Sequence, residues 1–239
     1  MRSSINSITS FLSDILSHLK KGRLPFYYFY RRLKLGTINW FCDFYYGIKT
    51  REVFNVTQMK VESKNLEHAV RYEGTPYFIL KEIFNSSEVD LKGRKFLDIG
   101  CGRGRALFWA HQKKASKIMG VDFSSDLCLE AQKNLEGINN VSIYCQDISD
   151  FELAEKFDVI YISNPFGKVV LENLLDKDWI KNQGPETVFV YHVPLESSSF
   201  LNRNYKLSKT YSYFRNQDVV KVFRKPHKDL SSDKILYHL

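Results

Sequence analysis

From Lys92 onward the chain alternates between two hydrophobic rhythms. KFLDIG, KIMGVDF, VSIYCQD, FDVIYIS and ETVFVYHVP are short apolar runs that break off at charged or turn-forming residues, which is the pattern of buried strands. GRALFWAHQK and SSDLCLEAQKNL space their apolar positions as helices do, and Ser124 or Ser125 supplies the N-cap of the second. Strands alternating with helices predict an α/β fold, a doubly wound parallel sheet with helices on both faces. YKLSKTYSYFRNQDVVKVFRKP reads as two strands joined by RNQD, which adds an antiparallel strand at one edge. Upstream, YEGTPYFILKEIF reads as a Gly-Thr-Pro turn followed by a helix to about Phe84.

The first sixty residues follow a different pattern. Ile5, Ile8, Phe11, Leu12, Ile15, Leu16 and Leu19 fall on one side of a helix that Gly22 and Pro25 end. LPFYYFYRRLKLGTINWFCDFYYG, residues 24–47, is dense in aromatics and arginine. It predicts either a helical cap packed on the main domain or a surface that grips an interface or a substrate. The expected division is a basic, aromatic-rich helical extension over 1–60 and a main domain over 61–239.

Charge sharpens that division. Residues 1–60 hold ten Lys/Arg against three Asp/Glu, residues 203–239 nine against three, and residues 61–202 sixteen against twenty-one. Basic ends around an acidic centre suit an anionic partner, nucleic acid or a membrane surface, and equally suit a merely solvated surface. Cys42, Cys101, Cys128 and Cys145 show no C-x-x-C spacing and no paired histidines accompany them, so neither a metal site nor a disulfide framework is expected. SITSFLSDILSHL is interrupted by polar residues, and no stretch approaches the ~18–20 uncharged apolar residues of a membrane span. A soluble, cytoplasmic chain is expected.

The densest chemistry lies in FLDIGCGRGRALFWA. Gly100, Gly102 and Gly104 follow a strand and open a helix, where the backbone can approach a ligand closely and free N–H groups face it. A dinucleotide fingerprint would read G-x-G-x-x-G, whereas Arg105 stands in place of the third glycine. Asp98 ahead of the loop would repel a pyrophosphate and hold a cation, so an amine or a sulfonium fits better. Asp122 ends the second strand, where a carboxylate grips a ribose diol in this topology, and Asp147 ends the third, where an adenine amino group would lie.

Asp98-x-Gly100-x-Gly102-x-Gly104, then Asp122, then Asp147, resembles the class I S-adenosylmethionine-dependent methyltransferases over roughly residues 70–226. The resemblance implies a seven-stranded sheet of order 3-2-1-4-5-7-6 with strand 7 antiparallel, and S-adenosyl-L-methionine as cofactor. It implies that Asp98 and the loop Gly100, Cys101, Gly102 and Gly104 hold the methionine part. Asp122 would take the ribose hydroxyls, Phe123 would lie against adenine, and Asp147 with the Ile148 backbone would read its edge. YEGTPY resembles an upstream Tyr-x-x-Thr-Pro segment of a bacterial branch and of certain protein-lysine methyltransferases, in which Tyr72 and Thr75 close over the methionine carboxylate.

After the fourth strand comes NPFG, residues 164–167. It is similar to the Asn/Asp-Pro-Pro-Phe/Tyr motif of amino methyltransferases, with one proline fewer and Gly167 following, a form that a group of bacterial methyltransferases shares. By that similarity Asn164 and the Pro165 carbonyl accept hydrogen bonds from the target nitrogen, Asn164 also borders the cofactor, and Phe166 packs on the acceptor. A plain strand-end turn is the other reading. His192 closes the fifth strand, as a base toward the acceptor or as a structural histidine. Arg103 and Arg105 are read as capping the loop or meeting a substrate anion. The expected activity is methylation of a nitrogen acceptor, protein lysine first. O-methylation of a small molecule or glycan, nucleic-acid methylation and a non-catalytic cofactor-binding module are the alternatives.

Overall fold

A computed structural model describes residues 25–51, 72–163, 166–194, 197–213 and 218–226. The chain divides into two compact units, residues 1–46 and 47–239. In the first, helix α1 spans Pro25–Tyr46. Pro25 stands at the start of this helix; proline is tolerated in a first turn, where its missing N–H has no helical partner to lose. The helix expected over 4–21 lies outside the described residues, as does the stretch 52–71 around the expected boundary at residue 60.

The second unit opens with α2 (Tyr77–Ile83) and a 3-10 turn (Ser87–Val89). Then β1 (Lys95–Ile99), α3 (Arg105–Gln112), β2 (Lys117–Asp122), α4 (Ser125–Asn134) and β3 (Val141–Cys145) follow in strict alternation. After them come β4 (Val159–Ser163), α5 (Lys168–Asp176), α6 (Asp178–Lys181), β5 (Val188–His192), α7 (Ser197–Leu201), β6 (Lys206–Tyr213) and β7 (Asp218–Arg224). Ser124 is the residue that caps α4, its hydroxyl accepting from the Leu127 N–H at 3.5 Å.

The seven strands form one sheet of order β3-β2-β1-β4-β5-β7-β6. β1 to β5 run parallel, and β7 pairs antiparallel with both β5 and β6. All five residues of β5 are buried, as expected of a parallel strand covered on both faces. Edge strand β6 is mostly exposed and breaks register between Leu207 and Lys209, an irregularity that blunts an open edge.

Period-2 alternation sorts the side chains of the sheet. Leu97, Ile99, Val121, Ile160, Ile162, Phe189 and Tyr191 join one core with Leu171, Leu174 and Leu175 of α5, Trp179 of α6 and Phe200 of α7. The alternate positions include Asp98, Asp122, Tyr161, Ser163 and His192, which therefore share the opposite face. Register aligns them: Asp98 lies beside Tyr161, and Ser163 beside His192. α3 packs over this face on β1 and β2, and Phe84 at the end of α2 meets Phe96 and Tyr161 edge-on at 5.4 and 5.8 Å.

Candidate active site

The loop between β1 and α3 is built on three glycines in the left-handed region, Gly100, Gly102 and Gly104, at φ 78°, 53° and 81°. Gly102 needs its bare Cα twice over. A Cβ there would come within 2.2 Å of the Tyr72 ring, so the tyrosine lies directly on the loop. The Gly102 N–H donates to Asp122 Oδ2 at 2.8 Å. In a dinucleotide site such an N–H would face a phosphate; here an acid takes it, which leaves the corner negative rather than anion-binding.

Asp122 also accepts from the Ser124 N–H at 3.0 Å. Burial raises its pKa from 3.8 to about 6, against the pull of the Ser124, Gly102 and Phe123 amides. Asp98 is buried as well, and desolvation first, then the nearby Asp122 charge, pushes its carboxyl well above the ordinary range. Its Oδ1 has no hydrogen-bond partner among the described residues. Two buried acids side by side, one with an unsatisfied oxygen, form an arrangement that a cation would relieve. The Cys101 side chain turns toward Gly120, where it takes the space a Cβ would need, and burial raises its thiol pKa strongly.

An upstream clamp ties this corner down, and Arg105 is its centre. Arg105 is buried and donates from Nε to Thr50 Oγ1 at 2.7 Å. Its Nη1 donates to the carbonyls of Gly74 and Thr75 at 3.0 and 2.9 Å. Its guanidinium carbon sits 4.6 Å from the centroid of the Tyr77 ring. Tyr72 Oη donates to the Thr50 carbonyl at 3.0 Å. Asn134 at the end of α4 accepts from the Lys49 N–H at 2.8 Å and donates to the Arg103 carbonyl at 3.0 Å. Residues 49–50 and 72–75 are thus both fastened to the glycine loop and the first turn of α3. Arginine at position 105 explains the missing third glycine: a fork of donors is required there.

Thr75 leads into a second buried cluster. Its Oγ1 lies 2.7 Å from Tyr161 Oη, 3.0 Å from Ser163 Oγ and 3.1 Å from His192 Nδ1. Ser163 Oγ is 3.0 Å from the same Nδ1. His192, at the end of β5, is therefore a buried ring within reach of two hydroxyls, Ser163 at the end of β4 and Thr75 just before α2. The next residue, Val193, holds φ at 51°, a strained value for a β-branched side chain, at the point where the chain leaves the sheet.

At the end of β3, Asp147 Oδ1 accepts from the Ser149 N–H at 2.8 Å, which fixes a tight turn. Phe123 is half-buried directly after Asp122, while the Ile148 side chain belongs to the core. Past β4, Asn164 and Pro165 lie outside the described residues. Phe166 is half-buried against the core cluster, and Gly167 caps α5.

A sequence model described as a methyltransferase domain matches residues 90–234, which takes in the glycine loop, all three strand-end acids and the whole sheet. The chain belongs to the methyltransferase-domain family. Its strand order is the one that the resemblance to class I S-adenosylmethionine-dependent methyltransferases implies. Among curated proteins, the histone-arginine methyltransferase CARMER of Drosophila erecta is 28% identical over 155 residues, 59% of this chain and 29% of that protein. The chain thus spans less than a third of the curated relatives it matches. The fold is shared with a ribosomal protein L11 methylase from Lactobacillus delbrueckii subsp. bulgaricus, at TM-score 0.53 and 15% identity over 74% of this chain and 100% of that one. It is shared too with an S-adenosylmethionine-dependent methyltransferase from Mesorhizobium loti, at TM-score 0.50 and 13% identity over 62% and 97%.

The methyltransferase's own side chains fit its cofactor. Asp98 Oδ1 is a buried acceptor open to a cationic donor, and an ionised Asp122, with about four lone-pair sites, keeps room for a ribose hydroxyl beyond the amides of Gly102, Phe123 and Ser124. Sequence reasoning missed Thr50, Tyr161 and Ser163 altogether. The one local signal was two hydroxyls at alternate positions in an otherwise aliphatic strand. Gly102→Ala is expected to weaken cofactor binding at least ~10-fold, because the methyl must displace Tyr72 and sit at positive φ. Gly137→Ala carries a similar φ with nothing within 4 Å, so its binding isotherm should match wild type and separate strain from displacement.

Proposed function

We propose that this enzyme transfers a methyl group from S-adenosylmethionine to a side-chain nitrogen of a protein. The observation that carries the cofactor half of the reading is the pair of buried acids, Asp98 with its unsatisfied oxygen and Asp122 beneath the glycine loop. When bound, the cofactor would supply an electrophilic methyl on a sulfonium; its transfer to a neutral side-chain nitrogen would leave a thioether and a proton released from the methylated nitrogen to solvent. Everything else falls to the chain. Asp98 holds the amino group of the methionine part against Gly100, Cys101, Gly102 and Gly104. Asp122 accepts from the ribose hydroxyls. Phe123 lies along adenine, and Asp147 with the Ile148 amide reads its edge. Tyr72 covers the loop, and Thr75 fixes the segment that closes over the carboxylate.

Asn164 and the Pro165 carbonyl are assigned as acceptors that aim the nitrogen and stabilise its developing charge, with Phe166 as the apolar wall. A protein acceptor is supported by the likeness to histone-arginine methyltransferases and by the Tyr-x-x-Thr-Pro likeness to protein-lysine methyltransferases. The acidic middle of the chain suits a basic side chain. His192 Nδ1 already lies within hydrogen-bond distance of the Thr75 and Ser163 hydroxyls, which favours a positioning role. Its place at a strand end is also the observation that keeps O-methylation of a small molecule or glycan as a second reading.

Incubating the full chain with methyl-tritiated S-adenosylmethionine and a fractionated extract tests the proposal. Base-stable label in protein, recovered as methyl-lysine or methyl-arginine after hydrolysis, is expected. Label confined to glycan or small molecules would transfer the assignment to the second reading, and label in nucleic acid would overturn both.

A further inference from the structure

Helix α1 turns a row of large apolar side chains outward. Leu33, Trp40, Phe41, Phe44 and Tyr45 are all exposed, Phe44 and Tyr45 by 75% and 72%. Their spacing of three, four and seven puts them on one side of the helix. Trp40 stacks on Phe44 at 5.7 Å and 9°, and Phe41 on Tyr45 at 6.4 Å and 16°, so the rings form one continuous apolar surface. The helix has four charged residues: Arg31, Arg32, Lys34 and Asp43. Its single acid, Asp43, is buried, and the other three are cations. No described helix is long and apolar enough to cross a membrane, so such a surface would lie along one.

We propose that α1 docks this methyltransferase onto an anionic membrane surface, the aromatic row entering the headgroup–acyl boundary while the basic stretch Arg31–Lys34 attracts the headgroups. Charge complementarity selects this occupant. A second copy would bring two helices of like charge together, within segments that each hold ten basic against three acidic residues over 1–60. A single-stranded nucleic acid stacks its bases on aromatic faces, whereas the exposed row here also contains the aliphatic Leu33, which offers no ring face to a base and suits an acyl boundary. Patches of this kind on soluble units mark interaction sites.

The full chain should co-sediment with phosphatidylcholine vesicles containing phosphatidylserine, bind vesicles of phosphatidylcholine alone more weakly, and lose binding as salt rises. Phe44→Glu with Tyr45→Glu should cut partitioning at least ~10-fold while circular dichroism and S-adenosylmethionine affinity stay unchanged. Brominated acyl chains should quench Trp40 in the unaltered protein, since Trp109 and Trp179 are buried. That reading needs no variant. Equal vesicle binding by the variant, or no quenching by brominated lipid, would overturn the proposal. So would binding to single-stranded oligonucleotide without vesicle binding, or a dimer in sedimentation equilibrium that the double variant abolishes.

Discussion

Asp122→Asn is expected to weaken S-adenosylmethionine binding about 100-fold without lowering the stability of the cofactor-free protein. An ionised carboxylate facing two hydroxyl donors makes charge-assisted hydrogen bonds of ~1.5–3 kcal/mol each, and losing the charge across the pair reaches ~3 kcal/mol. Stability should not fall with it. The folded pKa of Asp122 lies above the unfolded one, 3.8 raised to about 6. Its contribution to stability is therefore complete at acid pH and is lost as pH rises through about 6. At neutral pH, holding this carboxylate ionised costs the apo protein about 3 kcal/mol, from the pKa difference and ~1.36 kcal/mol per unit. An amide escapes that cost but turns its NH2 toward one of the backbone N–H donors and leaves that donor unsatisfied, which costs ~1–3 kcal/mol and at most offsets the gain. Isothermal titration and a melting curve at neutral pH check both halves. A melting temperature that falls in parallel with affinity would make Asp122 a structural residue rather than a binding one.

Arg105→Ala should be the most destabilising single change at the site. It removes three hydrogen bonds and a ring contact, and it strands the carbonyls of Gly74 and Thr75 in a buried setting. A loss of ~3 kcal/mol follows, or roughly 6–12 °C in melting temperature for a unit of this size. Amide hydrogen exchange should accelerate over residues 72–76, because those residues are held by the guanidinium. Arg105→Lys should recover little, since one ammonium cannot span Nε and Nη1 donors to three acceptors. Unchanged exchange in this segment would show that the clamp holds by other contacts.

The sheet was legible because its strands announce themselves as apolar runs ended by Asp98, Asp122 and Asp147, and because the glycine loop fixes which strand comes first. The full strand order came from family resemblance, since periodicity alone does not rank parallel neighbours. Helix α5 passed unread beside NPFG, although Val170, Leu171, Leu174 and Leu175 recur at helical spacing on its buried side. The clamp and the hydroxyl cluster were hidden for a physical reason. Arg105 meets Thr50 across 55 positions, and Thr75 meets Tyr161 and His192 across 86 and 117. No local pattern encodes such pairs; only the folded register brings them together. Tyr161 read as apolar filler because its neighbours are aliphatic, and Arg105 read as a loop cap because its acceptors are backbone carbonyls far upstream.

The binding corner is tested most directly by titrating S-adenosylmethionine into the full chain across pH 5 to 8. One site is expected, with affinity falling as pH drops through about 6. Asp122 must ionise to accept the ribose hydroxyls, and Asp98, raised by burial and by Asp122, adds to the dependence in the same direction. The slope should approach tenfold per pH unit for each proton released. Absence of binding at neutral pH, or an affinity that does not change between pH 5 and 7, would contradict the placement of the cofactor on these two buried acids.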